Sequence, residues 1–337
     1  MKRVLVTGAT GGLGRNAVEA LLHRGIQVRA TGRNLVAGKA LSAMGAEFVP
    51  LDLATAGQTS SSGLAALVRH VDAVWHCAAL SSPWGRAADF TAANVTATEQ
   101  LLQAAGHAEV ARFVHISTPA LYFNYRAQLG IKESFRPAAY VNDYARTKAQ
   151  AEACVQDAVS AFRHMHCSIL RPRAIFGPHD QVLLPRIARV LRQRRGRLPL
   201  PHGGRVTLDL TYAGNVAQAM WLATTVKGIP SGCVFNITNH EPVLLRDVLT
   251  GLFADRLQQP FRIASVPYPV MAIAARSMEA LARITQKEPA LTAYSVGALA
   301  FDMTLDNSRA RQLLGYLPTV GLAAALDHTA DWMRAHG

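Results

Sequence analysis

Val4-Leu5-Val6-Thr7-Gly8-Ala9-Thr10-Gly11-Gly12-Leu13-Gly14 opens the chain with an apolar run, a glycine-rich loop and the start of a helical pattern. At such a junction the first helical N–H groups have no backbone partner, and the helix dipole adds about half a positive charge. A pyrophosphate is well placed there. Gly8 permits a tight turn, Gly11 lets a ligand approach the backbone, and Gly14 lets the helix pack closely on the strand. The loop, including Thr10, Gly12 and Leu13, therefore predicts a dinucleotide site, with an ordinary tight turn as the alternative.

The composition indicates a folded chain. It has 337 residues, of which 50% are hydrophobic and 17% are charged. These values exclude global disorder and allow one large or two modest domains.

A formal net charge of +13 would suit phosphorylated ligands, nucleic acid or anionic membranes. Part of this charge lies in one short segment, and its arginines are Arg186, Arg189, Arg192, Arg194, Arg195 and Arg197. No aromatic residues interleave with them, so we expect no nucleic-acid partner. A solvated helix face is favoured over a binding surface.

The cysteines and the apolar runs bear on location. Cys77, Cys154, Cys167 and Cys233 lie far apart without metal-ligand spacing, so we expect no metal site and a reduced, cytoplasmic protein. The apolar run after Met1-Lys2-Arg3 is too short for a signal peptide, and no window is long enough to span a bilayer.

Strand and helix patterns alternate through the first half of the chain. The helical patterns include Leu13–His23 and Thr96–Ala105. The predicted strands are Val4–Val6, Val28–Ala30, Phe48–Leu51, Ala73–Cys77, Phe113–Ile116 and Ser168–Leu170. Strands joined by helical crossovers form parallel sheets. The fold class is therefore α/β, with a doubly wound parallel Rossmann sheet.

Past Gly177-Pro178 many prolines interrupt short elements. We expect residues 1–175 to form the nucleotide-binding domain and residues 176–337 to form mainly a smaller α/β substrate domain. A strand and a helix near 205–238 are expected to return to the first domain.

Tyr144 and Lys148 begin a helical pattern, and their i, i+4 spacing places phenol and ammonium on one face. A nearby cation stabilises a phenolate, so Lys148 is expected to lower the pKa of Tyr144. Taken alone, this pair is a common accident of sequence.

Ser117 and Thr118 follow the fifth predicted strand, where hydroxyls at the carboxyl end of a parallel sheet can bind substrate. The alternative is that they only cap or turn the chain. Asn94 is a poor helix former inside a helical pattern, and it either holds a buried water or carbonyl or lies on the surface.

These motifs, in this order, resemble the extended short-chain dehydrogenase/reductase superfamily over essentially the full chain. The matching segments are Thr7 to Gly14, Asn94-Val95-Thr96, Ser117-Thr118, Tyr144 to Lys148, and Leu170-Arg171-Pro172 through Phe176-Gly177-Pro178. The later part of the sequence, for example Pro289-Ala290-Leu291-Thr292, looks most like the branch of 3β-hydroxysteroid dehydrogenase-like proteins and bacterial ketoreductases.

The resemblance implies hydride transfer between a nicotinamide and a carbon bearing oxygen. Tyr144 would be the acid/base, and Lys148 would bind the nicotinamide ribose. Thr118, with Ser117 beside it, would orient the substrate oxygen, and Asn94 would support a relay water. Pro172 and Ile175 belong to the segment that would line the nicotinamide.

The resemblance also bears on the choice of cofactor. Where an NAD enzyme offers a carboxylate after its second strand, this chain has Arg33, which suits a 2′-phosphate, so NADP(H) is favoured over NAD. Asp52-Leu53 resembles the pair that contacts the adenine, and Ala78-Ala79 resembles the small residues packed on the cofactor.

The substrate expected is a small-molecule ketone or secondary alcohol that is sterol-like, terpenoid or acyl. Pro119-Ala120 stands where dehydratases of the superfamily carry Asp-Glu, which disfavours water elimination. A nucleotide-sugar epimerase is the runner-up, and a non-catalytic NADP sensor is a third hypothesis. The arginine segment faintly favours a CoA or nucleotide moiety.

Val266–Arg283 contains an apolar stripe of Val270, Ile273, Ala274, Met278 and Leu281 at helical spacing. Such a stripe is usually core. Its functional alternatives are a lid over an apolar ketone or, less favoured, a peripheral membrane contact. Relatives commonly form homodimers through a four-helix interface, although no residue of this chain shows one.

Overall fold

Alternating strands and helices build the molecule around one large sheet, in a computed structural model that describes residues 1–59 and 61–336. The strands are β1 Arg3–Thr7, β2 Gln27–Gly32, β3 Glu47–Pro50, β4 Ala73–His76, β5 Arg112–Ile116, β6 Gln128–Ile131, β7 His166–Pro172, β8 Ile175–Phe176, β9 Arg197–Pro201, β10 Thr207–Leu208, β11 Thr211–Tyr212, β12 Cys233–Ile237, β13 Val243–Leu244, β14 Arg262–Val266 and β15 Met303–Leu305.

Helices pack on the sheet and form much of the second half of the chain. They are α1 Gly12–Leu22, α2 Leu35–Ala43, α3 Leu53–Thr59, α4 Ser61–Val68, α5 Ala87–Phe90, α6 Ala97–His107, α7 Asp143–Ala161, α8 Leu183–Gln193, α9 Ala213–Thr225, α10 Leu245–Leu249, α11 Tyr268–Thr285, α12 Ala293–Ala298, α13 Ser308–Leu314 and α14 Leu322–His336. Thr91–Thr96 and Thr250–Arg256 are π-helical turns, and Pro119–Tyr122 and His202–Gly204 are short 3₁₀ turns.

The large sheet has the strand order β12-β7-β5-β4-β1-β2-β3, and every neighbouring pair in it is parallel. The chain proceeds outward from β1 on one side through β2 and β3. It then returns to continue on the other side from β4. The predicted doubly wound parallel sheet is confirmed, and its topological switch point lies between the carboxyl ends of β1 and β4.

Both faces of this sheet are buried, which explains the continuous apolar runs of its strands. Val4 and Val6 point into the core shared with α1 and α9, whereas Leu5 and Val74 point into the core shared with α4 and α6. The sheet is thus held rigidly between two helical layers, and it fixes the positions of the loops at its carboxyl edge.

Two elements lie elsewhere than their sequence position suggests. β12 closes the large sheet beside β7, and α9 packs against α1, so this late segment joins the first sheet. β6, by contrast, comes early in the chain but pairs with β15 in a smaller sheet of order β13-β10-β15-β6. The range 1–175 therefore contributes a strand to the second sheet.

The predicted core stripe on α11 lies on the solvent side. Val270, Ile273 and Leu281 are 57%, 64% and 60% exposed, while Met271 and Ala275 on the opposite face are buried. The core interpretation of that stripe is wrong, because helical periodicity gives the spacing of a face without giving its direction. Among the described residues, no helix is long and apolar enough to cross a bilayer.

Candidate active site

The glycine-rich loop is tightly packed on three sides. A Cβ on Gly14 would lie 2.1 Å from the Gly8 carbonyl oxygen, and one on Gly8 would lie 2.7 Å from the Ala78 nitrogen. A Cβ on Gly12 would lie 2.8 Å from the carbonyl oxygen of His179. Gly8 also has a φ of +62°, which glycine adopts without strain. These contacts leave no room for side chains where the loop meets its neighbours.

Gly11 differs from those three glycines, because a Cβ there would meet only the Gly8 carbonyl oxygen, at 3.4 Å. Gly11 is the N-cap of α1 and offers no side chain to the first-turn N–H groups. Leu13, in that first turn, packs its side chain against the core. The loop therefore presents free N–H donors and a positive helix end on its open side, which fits a pyrophosphate.

The end of β2 adjoins this loop. A Cβ on Gly32 would lie 2.5 Å from Thr10 Oγ1, so Thr10 fills the space beside the strand end. Arg33 follows with a side chain that is 74% exposed, and its Nη1 lies 3.8 Å from Asp52 Oδ2. Asp52 also accepts a hydrogen bond from the Ala54 N–H, just after Leu53 begins α3. Arg33 and Asp52 thus stand together at the edge of the loop.

Tyr144 lies at the start of α7, where Asn142 caps the helix by accepting the Ala145 N–H. Burial raises the pKa of the Tyr144 phenol, and hydrogen bonds with Ser81 and Thr118 lower it in part. The predicted lowering by Lys148 is therefore not found, and the phenol is held protonated at neutral pH.

The Lys148 ammonium does not lower the pKa of Tyr144, because it bonds with residues of β5. Lys148 is 1% exposed, and its Nζ donates to the Ile116 carbonyl oxygen at 2.6 Å and contacts His115 Nε2 at 3.0 Å. Burial lowers the pKa of Lys148 to about 8. The same burial, together with the Lys148 charge, holds the pKa of His115 well below its usual range.

A buried chain of hydrogen bonds crosses the floor of the site. The Ala78 N–H donates to Thr7 Oγ1 at 3.2 Å, and Thr7 Oγ1 lies 2.7 Å from His76 Nδ1. His76 Nε2 lies 2.9 Å from Thr98 Oγ1, which donates to the Asn94 carbonyl oxygen. Burial lowers the pKa of His76 to about 3, so this ring is neutral and accepts at Nδ1 while donating at Nε2.

Asn94 sits in the π-helical turn Thr91–Thr96 and is 1% exposed. Its Oδ1 accepts the Leu80 N–H at 2.7 Å, and its Nδ2 donates to the Leu80 carbonyl oxygen and to Thr147 Oγ1. The surface alternative is excluded. Asn94 fastens the segment after β4 to the helix that carries Tyr144 and Lys148.

Ser117 and Thr118 are adjacent in sequence, but their hydroxyls have different hydrogen-bond partners. Thr118 Oγ1 accepts the Ala120 N–H at 3.1 Å and hydrogen-bonds with Tyr144. Ser117 Oγ instead donates to Glu152 Oε1. The structure therefore brings Thr118 to Tyr144 and assigns Ser117 to the packing of α7 on the sheet.

Glu152 belongs to a buried network that the motifs did not reveal. Arg171 on β7 donates from Nε to Glu152 Oε1 at 2.7 Å and forms an ion pair with the other carboxylate oxygen. Arg171 also donates to the Tyr122 hydroxyl, which in turn donates to Asn236 Oδ1 at 2.9 Å. This network joins α7, β7 and β12 behind the site.

The remaining predicted cofactor contacts lie at or just beyond strand ends. Ala78 packs its backbone on Gly8, and Ala79 beside it is exposed. Pro172 ends β7, and Ile175 begins β8, whose partner strand is β11. Ala78 and Ala79 follow β4 at the carboxyl edge of the sheet.

Aromatic side chains pack against one another in a cluster, the aromatic wall, which the sequence analysis does not contain. Phe123 contacts Tyr125 and Tyr294 edge to face, with ring centroids 5.0 and 5.6 Å apart. Phe301 lies 6.5 Å from Tyr125 and 5.0 Å from Tyr268. These residues come from distant parts of the chain, so no local pattern could have indicated the wall.

Comparison with known families gives one extended match. The model of the family described as "NAD dependent epimerase/dehydratase family" matches residues 4–238. The matched range contains the glycine loop, Asn94, Thr118, Tyr144 and Lys148.

Three curated relatives align over almost the whole chain. The chain is 48% identical to "Uncharacterized protein YbjS" of Escherichia coli, over 99% of this chain and 98% of that protein. It is 35% identical to a 4-hydroxy-2-methyl-3-oxo-4-farnesyl-3,4-dihydroquinoline-1-oxide ketoreductase of Stigmatella aurantiaca, over 96% and 95%. It is 32% identical to a 2-alkyl-3-oxoalkanoate reductase of Stenotrophomonas maltophilia, over 96% and 97%.

Among solved structures, the chain is similar to a UDP-glucuronic acid 4-epimerase from Bacillus cereus in complex with NAD. The TM-score is 0.77 at 22% identity, over 98% of this chain and 96% of that one. At this identity the likeness shows the fold.

Proposed function

The chain belongs to the NAD dependent epimerase/dehydratase family, and on that premise we propose that it is an NADP(H)-dependent ketoreductase or secondary alcohol dehydrogenase. One observation carries the proposal. The Tyr144 phenol hydrogen-bonds with Thr118 at the carboxyl edge of the sheet, one helical turn from the buried ammonium of Lys148. This arrangement supports a proton donor beside a nucleotide cofactor bound at that edge.

The residues divide the chemistry between them. When bound, the nicotinamide supplies or accepts the hydride at the oxygen-bearing carbon. Tyr144 donates its phenolic proton to the substrate oxygen during reduction and accepts it during oxidation. The raised pKa of the phenol keeps it protonated at neutral pH, which is the form that reduction of a ketone requires, whereas oxidation of an alcohol requires the phenolate. Thr118 orients the substrate oxygen, and Lys148 holds the ribose.

NADP(H) is the proposed coenzyme because of Arg33. Its guanidinium follows β2 and is largely exposed, so it can reach a 2′-phosphate beside the glycine loop. Asp52 is the near carboxylate, and its 3.8 Å separation from Arg33 leaves the guanidinium donors available. Asp52 and Leu53, together with Ala78 and Ala79, are proposed to border the remainder of the nucleotide.

The proposed substrate is an apolar ketone or the corresponding alcohol. The aromatic wall formed by Phe123, Tyr125, Tyr268, Tyr294 and Phe301 supports an apolar partner. Two named relatives support the same chemistry, since one is a ketoreductase of a farnesylated quinoline oxide and another reduces 2-alkyl-3-oxoalkanoates.

Helix α11 is proposed to cover this apolar pocket. Its buried residues Met271 and Ala275 pack with Tyr268, which joins the aromatic wall through Phe301. The exposed apolar stripe of α11 is also proposed as a peripheral membrane contact, as the second choice after a lid. We also propose that the protein is cytoplasmic and forms a homodimer.

The test is a coenzyme-consumption screen with purified protein. NADPH loss is followed with panels of apolar ketones, acyl ketones and UDP-sugars, and Tyr144→Phe serves as the inactive comparison. The proposal expects NADPH loss with an apolar or acyl ketone and none in Tyr144→Phe. Turnover of a UDP-sugar without net NADPH loss would instead favour the epimerase and contradict it.

A further inference from the structure

Arg173 is an arginine that the proposed chemistry leaves unused. It directly follows β7, and its backbone is fixed on both sides. Its N–H donates to the Ile237 carbonyl oxygen at 3.1 Å, and its carbonyl oxygen accepts from Thr211 Oγ1 at 2.6 Å. The side chain begins from a rigid position at the carboxyl edge of the sheet.

The guanidinium of Arg173 lacks partners. Its Nε is buried without a hydrogen-bond partner. Within residues 1–59 and 61–336, no side chain or carbonyl oxygen takes a hydrogen bond or an ion pair from its guanidinium. A buried donor left unpaired is destabilising, and more so when it is charged, so the unpaired Nε of Arg173 requires an explanation.

Arg171, two residues earlier, makes the contrast clear. Arg171 is buried, whereas Arg173 is half-buried with only its Nε fully enclosed, and the Arg171 donors are taken by Glu152, by the Tyr122 hydroxyl and by the Glu133 carbonyl oxygen. The fold thus pairs the guanidinium of Arg171 and leaves that of Arg173 without a partner among the described residues. Arg173 lies past the last residue of β7, where the alternation of the strand no longer fixes the direction of its side chain.

The position of Arg173 is close to the reacting atoms. Ile116 of β5 pairs with Leu170 of β7, so Thr118 comes level with Pro172, and Arg173 is the next residue. The charges of Arg173 and Tyr144 both act on the pKa of Tyr294, which agrees with that register. Arg173 therefore lies near the residues that are proposed to serve the substrate oxygen.

Asp209 is the nearest acidic neighbour that affects Arg173, and it does not occupy its donors. The Asp209 carboxylate accepts the Leu305 N–H at 2.7 Å and forms no ion pair within 4.0 Å of any arginine among the described residues. Burial lowers the pKa of Arg173, and the Tyr294 and Asp209 neighbours oppose that shift. The guanidinium keeps a charge without a bonded anion.

We propose that Arg173 binds a carboxylate of the substrate, attached close to the carbon that Tyr144 and Thr118 serve. The substrate is then an apolar oxo acid or hydroxy acid, and this inference rests on the proposed function. A planar guanidinium binds one carboxylate through two parallel hydrogen bonds. The aromatic wall would receive the apolar remainder of the same molecule.

The experiment compares an acid with its ester in the direction of alcohol oxidation. The probes are 3-hydroxydodecanoic acid and its methyl ester, with NADP⁺ as the oxidant. The assay is run at alkaline pH, where the secondary alcohol gives its hydride to NADP⁺ and its hydroxyl proton to the Tyr144 phenolate, and a ketone forms. NADPH formation gives kcat/KM for wild type, Arg173→Gln, Arg173→Lys and the control Arg192→Gln, whose arginine is exposed on the basic segment.

Wild type is expected to prefer the acid by roughly tenfold or more, since about 1.4 kcal/mol corresponds to a factor of ten. Arg173→Gln is expected to lose most of that preference, Arg173→Lys to retain part of it, and Arg192→Gln to keep all of it. An acid-to-ester ratio that is unchanged in Arg173→Gln, or near one in wild type, overturns the inference. A lower melting temperature with an unchanged ratio would reduce Arg173 to a structural role.

A binding measurement separates this inference from the proposed function. Both probes are titrated calorimetrically into the protein with NADPH present, so that no turnover is needed. Acid binding that weakens in Arg173→Gln supports the inference even if neither probe is oxidised, a result that would count against the proposed function alone. Arg173-dependent binding of UDP-glucuronate without binding of the acid overturns the apolar acid. If Arg173→Gln does not fold, Arg173→Lys and the wild-type comparison decide.

Discussion

Tyr144 and Lys148 show how far one helical spacing determines a site. The i, i+4 pattern correctly indicates that both residues point from α7 toward the sheet. It does not indicate what each side chain then meets. Lys148 bonds with Ile116 and His115, whereas Tyr144 bonds with Ser81 and Thr118. Those partners come from other strand ends, so the pKa of Tyr144 is set by tertiary contacts that the motif does not contain.

Replacing Tyr144 by Phe removes the proton donor and leaves the ring packing. We expect kcat to fall by at least about 100-fold, the usual loss for a general acid. Coenzyme binding, measured by calorimetric titration, should change little. Tyr140→Phe is the matched control, because Tyr140 is an exposed phenol four residues earlier, and it should keep full activity. Equal activity of both variants would remove Tyr144 from the mechanism.

The lowered pKa of Lys148 predicts that the free energy of unfolding depends on pH. The groups that act on it or are affected by its charge are His76, Cys77, His115 and Glu152. Its pKa is about 8 in the folded protein against 10.5 ordinarily, so the folded state releases its proton first as pH rises. Unfolding is then linked to proton uptake, and stability from this group increases between those two values, by at most roughly 1.4 kcal/mol per pH unit.

Lys148→Met isolates that effect, because methionine does not titrate. Urea unfolding of both proteins at about pH 7 and about pH 10 gives the difference in free energy of unfolding. Wild type should gain stability relative to Lys148→Met as the pH rises. A difference that stays constant, or moves in the opposite direction, would show that Lys148 has an ordinary pKa.

Arg33 decides the proposed coenzyme preference. Arg33→Asp replaces a guanidinium that suits a 2′-phosphate by a carboxylate that suits a ribose 2′-hydroxyl. The Kd for NADPH should rise roughly tenfold or more, and the Kd for NADH should fall, with Arg192→Gln as an exposed-arginine control. Unchanged affinities for both coenzymes would disprove the assignment.

At the scale of elements, the buried pair between α7 and β7 holds the helix that carries Tyr144 and Lys148. Arg171→Met leaves the Glu152 carboxylate buried without its partner, which should cost about 3 kcal/mol or more. The double variant Arg171→Met, Glu152→Met should recover much of that loss, because no buried charge remains. Urea unfolding of both single variants and the double variant measures the coupling. Additive losses would mean that the two residues act independently.

Elements also show where sequence reasoning reaches its limit. The strands of the large sheet and the glycine loop follow from local patterns, because a buried parallel strand is apolar throughout and its turn needs glycine. The direction of the α11 stripe and the pairing of β6 with β15 depend on partners far along the chain. The Ser117 hydroxyl bonds with Glu152, which lies 35 residues away, and no local pattern indicates that contact.

For the whole molecule, the sequence was sufficient for the fold class and for the edge of the sheet that carries the site. It was insufficient for the substrate side. The proposed substrate side includes Phe123, Arg173, Tyr294 and Phe301, which only the folded chain brings into one region. The glycine loop of the proposed cofactor site is local in sequence, whereas the proposed substrate side is assembled only by folding.

Coenzyme binding is the requirement on which the whole account depends. NADPH is titrated into the purified protein and followed by calorimetry and by nicotinamide fluorescence. We expect saturable binding of one NADPH per chain, with a lower Kd than that for NADH. If neither reduced nor oxidised coenzyme of either type binds, the account of this molecule as an oxidoreductase is contradicted.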